Sequence, residues 1–234
     1  MKRFLTILSQ KWPEYLLEIL VITIGIFGAF ALNNWAQGRE REDYQQALLD
    51  SFSEELRFTL VGVDSNLVWH ERQIALLDSF LLGKELDNGA AVDLMASFYG
   101  YPKTILTLPT MNSIIESDLF REERYIGLIN ECRALNMLNE FLVYSGEFMD
   151  DNWKNDIKPF LKENEFMQSI NLKEQGVSMR ASHYPNLRVL MKDKSFIAEV
   201  AAKSTLQKET LGITKATRRK LVAVTEVVKN HRNK

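Results

Sequence analysis

The chain has 234 residues, with 29 lysines and arginines against 31 aspartates and glutamates, so its formal net charge is −2. Eleven glycines and five prolines are too few for a β-sandwich or β-barrel, in which turn residues recur every ~8–12 residues. A hydrophobic content of 46% excludes general disorder, and the single Cys132 excludes an internal disulfide framework or a cysteine-rich zinc site.

The first element in chain order is a long apolar segment near the N-terminus. Residues Ile19 to Leu32 include no charged side chain, and the wider stretch from Tyr15 to Trp35 has 21 residues. As a helix this stretch is about 31 Å long, close to the ~30 Å thickness of the hydrocarbon core. Trp12, Tyr15 and Trp35 suit the headgroup level, where aromatic rings are enriched. We therefore predict a single transmembrane helix.

Two other interpretations of this segment stay open. A core helix can contain a similar apolar run, although such a helix usually has a polar stripe. The tripeptide Ala-Phe-Ala at 29–31 fits the cleavage pattern of a secretory signal peptide. However, Glu14 and Glu18 lie in the leading region, and the charged stretch 39–43 follows the segment like a stop. These features favour a retained anchor.

Four residues of the segment are candidates for packing against another membrane helix. Gly25, Gly28 and Ala29 have the small side chains that let two helix backbones approach closely. Glu18 is costly inside a span and usually faces protein or water there. Because it lies one turn from Tyr15, its carboxylate can instead reach the headgroups.

The cations around the segment predict its orientation. Lys2, Arg3 and Lys11 precede it, whereas Arg39 and Arg41 follow it. The positive-inside rule counts cations, so it favours an N-terminus in the cytoplasm. This predicts a single-pass membrane protein whose body lies outside the cytoplasm. A basic C-terminus that met the anionic inner leaflet would favour the opposite orientation.

The chain after the segment has the periodicity of a long helix. From Leu49 to Leu81, apolar residues recur in steps of three and four, with His70 on the same stripe. The hexapeptide ALLDSF at 47–52 recurs at 75–80, four heptads later. A strict heptad offset indicates supercoiling with a partner helix, as in a coiled coil. Gly83 is predicted to end this helix.

The later chain predicts further helices. In chain order we expect a short helix at 90–99, a possible strand at 104–108, a helix at 110–117, a long helix at 121–149, a looser stretch at 150–156, a break or kink at Pro159, an irregular stretch at 164–185 and a long helix at 192–231. The predicted fold is all-α: an N-terminal transmembrane helix followed by an elongated up-and-down helical bundle. Its predicted parts are an N-terminal flank at 1–14, the transmembrane helix at 15–36 and the bundle at 37–234.

A basic tail closes an otherwise acidic chain. Residues 201–234 contain nine lysines and arginines against two glutamates. This asymmetry suggests contact with an anionic lipid surface or another chain, or else a solvated helix end whose cations face the C-terminal dipole. Nucleic acid is not expected as a partner, because no aromatic residues interleave with the cluster. The tail residues singled out are Lys215, Arg218, Arg219, Lys220, Lys229, Arg232 and Lys234.

Motifs of known chemistry are missing from the sequence. It has no glycine-rich nucleotide loop and no nucleophile elbow. His70-Glu71 is not followed by a second histidine, because residue 74 is Ile74, so the zincin pattern fails. His70 and Cys132 lie at inward positions and are expected in the core. We therefore assign no catalytic, cofactor-binding or metal-binding residue.

The membrane strip carries a resemblance to a known family. Residues 15–22, YLLEILVI, with Gly25-Ile26 and the tetrapeptide LNNW at 32–35, resemble the span of bacterial single-pass membrane proteins known as a domain of unknown function. That span has the pattern GE, apolar, GI, apolar, NNW; this chain has Leu17 in place of the first glycine. Similar segments follow in order at 110–114, 157–161 and 190–196. The resemblance implies an anchored helical protein and no particular reaction.

These observations favour a membrane-anchored helical interaction or sensory module without catalytic activity. Its expected partners are the lipid bilayer and a membrane or envelope protein, or a second copy of the chain. One alternative is a structural accessory subunit of a membrane complex, which would use Glu18 and the face of Gly25 and Ala29. Another is a hydrolase whose site the sequence does not reveal.

Overall fold

The structure is a computed structural model that describes residues 2–84, 93–94, 97–98, 104–163 and 192–232. Every regular element in these ranges is helical, which confirms the all-α prediction. In chain order the elements are α1 (Lys2–Leu81), α2 (Pro109–Glu116), two 3₁₀ turns (Asp118–Phe120 and Glu123–Tyr125), α3 (Ile126–Asn152), a π-helical turn (Trp153–Ile157), α4 (Lys158–Glu163) and α5 (Lys194–Arg232).

The contacts divide the chain into two units, Met1–Leu49 and Asp50–Lys234. We call the second unit the helical body. Helix α1 contributes residues to both units, since it continues without interruption through the apolar segment and onward to Leu81. The predicted membrane boundary after residue 36 stays a prediction.

Helix α1 ends where the sequence predicts. Gly83 adopts a positive φ of 70°, a left-handed conformation that glycine reaches without steric cost. The Gly83 amide donates to the carbonyl of Phe80, and the Lys84 amide donates to that of Ser79. These two bonds are those of a Schellman cap, which satisfies carbonyls that the end of the helix would leave unpaired.

The predicted apolar stripe of α1 faces the interior of the body. Its buried members include Phe52, Leu56, Val63, His70 and Leu77. The last position of the stripe, Leu81, is exposed, whereas its neighbour Phe80 in the final turn of α1 is buried.

The predicted strand at 104–108 is wrong, since this segment forms no strand pairing. The Asn139 side-chain amide of α3 bonds both the amide and the carbonyl of Leu106. Asn66 donates to Thr104 at 2.8 Å, and the Thr110 amide donates to the Glu55 carboxylate. Asn66 and Glu55 are about 17 Å apart along α1. The six residues that lead from Thr104 to Thr110 cover this distance only when the chain is nearly extended.

Helix α3 starts later and continues further than predicted. The expected start at Arg121 is replaced by two 3₁₀ turns, and the α-helix begins at Ile126. Of the break or kink expected at Pro159, the break is absent, because the chain stays helical from α3 into α4. The intervening π-helical turn changes the hydrogen-bond register just before Pro159, a residue that has no amide hydrogen to donate.

The body has up-and-down topology. Ion pairs join Asp64 to Arg218 and Glu71 to Lys215, so residue numbers rise along α1 as they fall along α5. Helices α3 and α5 are also antiparallel, since Lys220 pairs with Glu131 and Thr210 bonds Ser145. The segment from Thr104 to Thr110 lies between α1 and α3 in the chain and runs antiparallel to α1. Within α5, the Asp193 carboxylate caps the first turn by accepting from the amides of Ser195 and Phe196.

The remaining predictions fall partly outside the described residues. The long last helix is confirmed, with bounds of Lys194–Arg232 in place of 192–231. Residues 93–94 and 97 of the predicted short helix are helical. The predicted irregular stretch at 164–185 lies outside the described residues.

The structure predicts that the body folds without the N-terminal segment. A chain lacking residues 1–36 retains the whole unit Asp50–Lys234, so we expect a soluble, predominantly helical protein. Far-ultraviolet circular dichroism measures this directly. A chain truncated further, to residue 60, loses the fully buried Phe52 and Leu56 and should fail to fold. A strand-dominated spectrum for the shorter truncation would contradict the all-α body.

Candidate functional site

The apolar segment is exposed along its whole length. In the part of the chain that the structure describes, α1 is the one helix long and apolar enough to cross a membrane, and none of its most apolar stretch is buried. The predicted interface residues Trp12, Tyr15 and Trp35 are exposed as well. The Arg39 guanidinium lies over the Trp35 ring at 5.1 Å, a pair suited to a headgroup layer.

The predicted packing residues lie on this exposed helix. Glu18, Gly25, Gly28 and Ala29 are all exposed. A Cβ atom placed on Gly25 or Gly28 would meet no atom within 4 Å. The backbone at these two glycines is therefore open to a close approach from outside the chain.

Much of the predicted basic tail contacts acids of the helical body. Arg219 and Lys229 are exposed and form no ion pair with any described residue, and Lys234 lies outside the described residues. The other four tail residues are paired. The pairs are Lys215 Nζ–Glu71 Oε1 at 2.7 Å, Arg218 Nε–Asp64 Oδ1 at 2.5 Å, Lys220 Nζ–Glu131 Oε2 at 2.9 Å and Arg232 Nε–Asp50 Oδ1 at 2.6 Å.

The α1 acids in these pairs share one heptad position. Asp50, Asp64, Glu71 and Asp78 are separated by fourteen, seven and seven residues. Asp78 also receives a bond from Lys208 at 2.7 Å, and this bond holds the pKa of its carboxyl below the usual range. The chain's own α1 therefore supplies anionic partners for the basic residues of α5. The repeated ALLDSF hexapeptide provides the first and the last acid of this row.

A buried polar layer lies between α1 and α5. His70 is fully buried, and its Nδ1 lies 2.6 Å from Oε1 of the fully buried Gln207. Since an amide oxygen only accepts, Nδ1 is the protonated nitrogen in this arrangement. His70 Nε2 and Gln207 Nε2 have no hydrogen-bond partner among the described residues. Burial, together with the charge of Lys203, lowers the pKa of His70 and favours the neutral ring.

Lys203 is the buried cation of this layer. It is 1% exposed, and loss of solvation lowers its pKa from 10.5 to about 8. One helical turn away, burial and the nearby Asp156 raise the pKa of Glu199. Asp156 also accepts a bond from Asn152 at 3.0 Å. The layer thus combines a neutral histidine, amides and a lysine in the interior of the body.

The buried polar face of α5 was not among the sequence predictions. Its buried residues include Lys203, Gln207, Thr210, Thr214 and Thr217, which are spaced by four, three, four and three. The hydroxyls of the three threonines donate to carbonyls four residues earlier, and Thr210 also bonds Ser145 of α3. The helical spacing was visible in the sequence. A search restricted to apolar residues could not find it.

Two further features of the described residues are a buried thiol and an open cleft lined by lysines. Burial raises the pKa of the Cys132 thiol to about 12, so it stays protonated at neutral pH and is a poor nucleophile. Among the described residues no group of three or more His, Cys, Asp or Glu is placed to hold a metal ion. An open cleft of about 550 Å³ is lined by Lys154, Lys158, Lys162 and their neighbours Pro159 and Glu163.

Comparison with family models, with curated proteins and with solved structures found no match to the chain. The features of the molecule that bear on its function are therefore the exposed apolar segment, the paired basic tail and the buried polar layer.

Lys203 makes the stability of the protein change with pH in the alkaline range. Because its pKa falls from 10.5 in the unfolded chain to about 8 in the fold, the unfolded state binds more protons between these values. Stability should therefore rise from pH 8 to 10.5. In Lys203→Met this rise should shrink by about 3 kcal/mol. Chemical denaturation of the full-length protein in detergent measures both curves, and parallel curves would contradict the buried charge.

The pairing of the basic tail predicts different effects at two adjacent residues. Lys220→Glu places a like charge against the half-buried Glu131 and should lower the free energy of unfolding by about 1 kcal/mol. Arg219→Glu is the matched control and should change it little, because Arg219 is exposed and unpaired among the described residues. Adding Glu131→Lys should restore the stability of Lys220→Glu. Equal losses in the two single variants would show that the pair contributes nothing specific.

Proposed function

We propose that the chain is a membrane-anchored helical module that binds another protein or senses a ligand, without catalytic activity of its own. The observation that carries the proposal is α1, a single helix that contributes both the exposed apolar segment and buried residues of the body. A change in how α5 packs on α1 would act directly on the helix that enters the lipid.

The buried polar layer supports the sensory part of this proposal. Hydrogen-bonded polar groups in a core stabilise a fold less than apolar side chains of the same volume. His70, Lys203 and Gln207 lie where α1 meets α5, and two of their polar atoms lack described partners. Such a contact favours alternative packing arrangements with similar free energies, which a switching element requires.

The open glycine face favours the second candidate function, an accessory subunit of a membrane complex. Nothing in the described chain approaches a Cβ position at Gly25 or Gly28. Small residues in a span allow close packing with another helix. The subunit hypothesis predicts that Glu18→Gln or Gly25→Leu prevents recovery of the complex while the body stays folded.

Membrane retention tests the anchor. We expect the full-length protein to stay in the membrane fraction after alkaline extraction, with its original N-terminus. The double variant Ile22→Arg and Ile26→Arg should move to the soluble fraction, because each arginine costs about 3 kcal/mol at the centre of a span. Val61→Arg is the matched control, since Val61 is equally exposed but lies in the body. A wild-type protein that starts near Leu32 in the soluble fraction would overturn the proposal.

The proposed location is the bacterial inner membrane with a periplasmic body, supported by the cation count around the segment and the resemblance of its sequence strip. Labelling with a membrane-impermeant thiol reagent tests this orientation on intact cells. The native Cys132 is buried and protonated, so it gives little background. Lys84→Cys adds a thiol at an exposed position of the body. Labelling of this variant only after cell lysis would reverse the orientation.

A further inference from the structure

One face of α3 exposes four large apolar side chains to solvent. Met137 is 55% exposed, Phe141 52%, Tyr144 61% and Phe148 52%. They follow each other at intervals of four, three and four residues, which places them in one row along the helix. We call these four residues the α3 seam. An apolar row with three aromatic rings is typical of an interaction site rather than of ordinary surface.

Three acids border the α3 seam along one side. Glu140, Glu147 and Asp151 are exposed and are spaced by seven and four residues, so they form a second row beside the apolar one. None of them forms an ion pair with a cation in the described part of the chain. The Asn136 amide donates to Glu140, but it brings no charge.

We propose that the α3 seam binds an amphipathic helix of another protein, with apolar residues at heptad spacing and lysines or arginines beside them. The intervals of the seam fit the seam of a second helix. The acid row requires cations on that helix, because unlike charges beside an apolar seam set partner choice and orientation.

The same charges argue against two other occupants. A second copy packed seam to seam would offer these acids no complementary charge, because the two acid rows would meet in an antiparallel pair and lie on opposite sides of a parallel one. An anionic lipid surface would repel these acids. A basic helix gains from both rows at once. This inference deepens the proposed interaction module by naming the face and the chemistry of its partner.

Photo-crosslinking with synthetic helices tests the proposal on the full-length protein in uncharged detergent. One peptide carries leucines at heptad spacing with flanking lysines, and a matched peptide carries glutamates in place of the lysines. Mass spectrometry maps the crosslinked residues. We expect crosslinks at the α3 seam with the lysine peptide, at least roughly tenfold more abundant than with the glutamate peptide.

Two sets of variants locate the effect. Phe141→Ser with Phe148→Ser should reduce crosslinking roughly tenfold, whereas the control Phe58→Ser, at a 64% exposed phenylalanine of α1, should not. Glu140→Lys with Glu147→Lys should reverse the preference in favour of the glutamate peptide. Circular dichroism checks that each variant stays folded, as expected for exposed positions.

Several outcomes would overturn the inference. Crosslinks away from α3, or equal crosslinking by both peptides, would remove its basis. Self-association of the wild type that disappears in the Phe141→Ser and Phe148→Ser variant would identify a second copy as the occupant instead. Peptide binding does not depend on membrane retention. A protein that is extracted from membranes but still binds the lysine peptide therefore contradicts the anchor and leaves the seam intact.

Discussion

Helix α5 organises the described helical body, because it packs closely along α3 and its cations pair with acids of α1. Fully buried side chains such as Phe52 and Leu56 on α1 and Leu221 on α5 provide most of the stability, since burying each contributes about 1.5–3 kcal/mol. The ion pairs between α5 and α1 are exposed and contribute about 0–1 kcal/mol each to the stability. Their effect lies in the register. Four acids of α1 share one heptad position, and sliding α5 by one turn would separate several pairs together.

The sequence predicted the elements that depend on periodicity and on helix ends. The apolar stripe of α1, the stop at Gly83 and most of α5 follow from local patterns that tertiary contacts do not alter. Residues 104–108 did not fold as predicted, because alternation of apolar residues becomes a strand only if another strand is adjacent. Here the side chain of Asn139 takes that place. No local sequence pattern predicts that a distant side chain will bond this backbone.

The charge asymmetry was visible in the sequence, but its meaning was not. A basic stretch of chain attracts any anion, and composition does not distinguish a lipid surface from an acidic helix of the same protein. Distances distinguish them for four residues of the tail, which contact acids of α1 and α3. The acids lie more than eighty residues before their partners along the chain. Of the six described tail residues, only Arg219 and Lys229 form no ion pair with a described residue, so acids of the chain itself match most of the described basic charge.

Helix α3 shows why an apolar residue in a helix does not by itself indicate a core. Leu128, Cys132 and Leu135 are fully buried on one face, whereas Phe141 and Tyr144 are more than half exposed on another. A single apolar stripe predicts the buried positions of the first set and predicts nothing for the second. The second set has its own helical spacing and lies beside its own row of acids. One apolar face of α3 is therefore buried in the body, and the other is exposed to solvent.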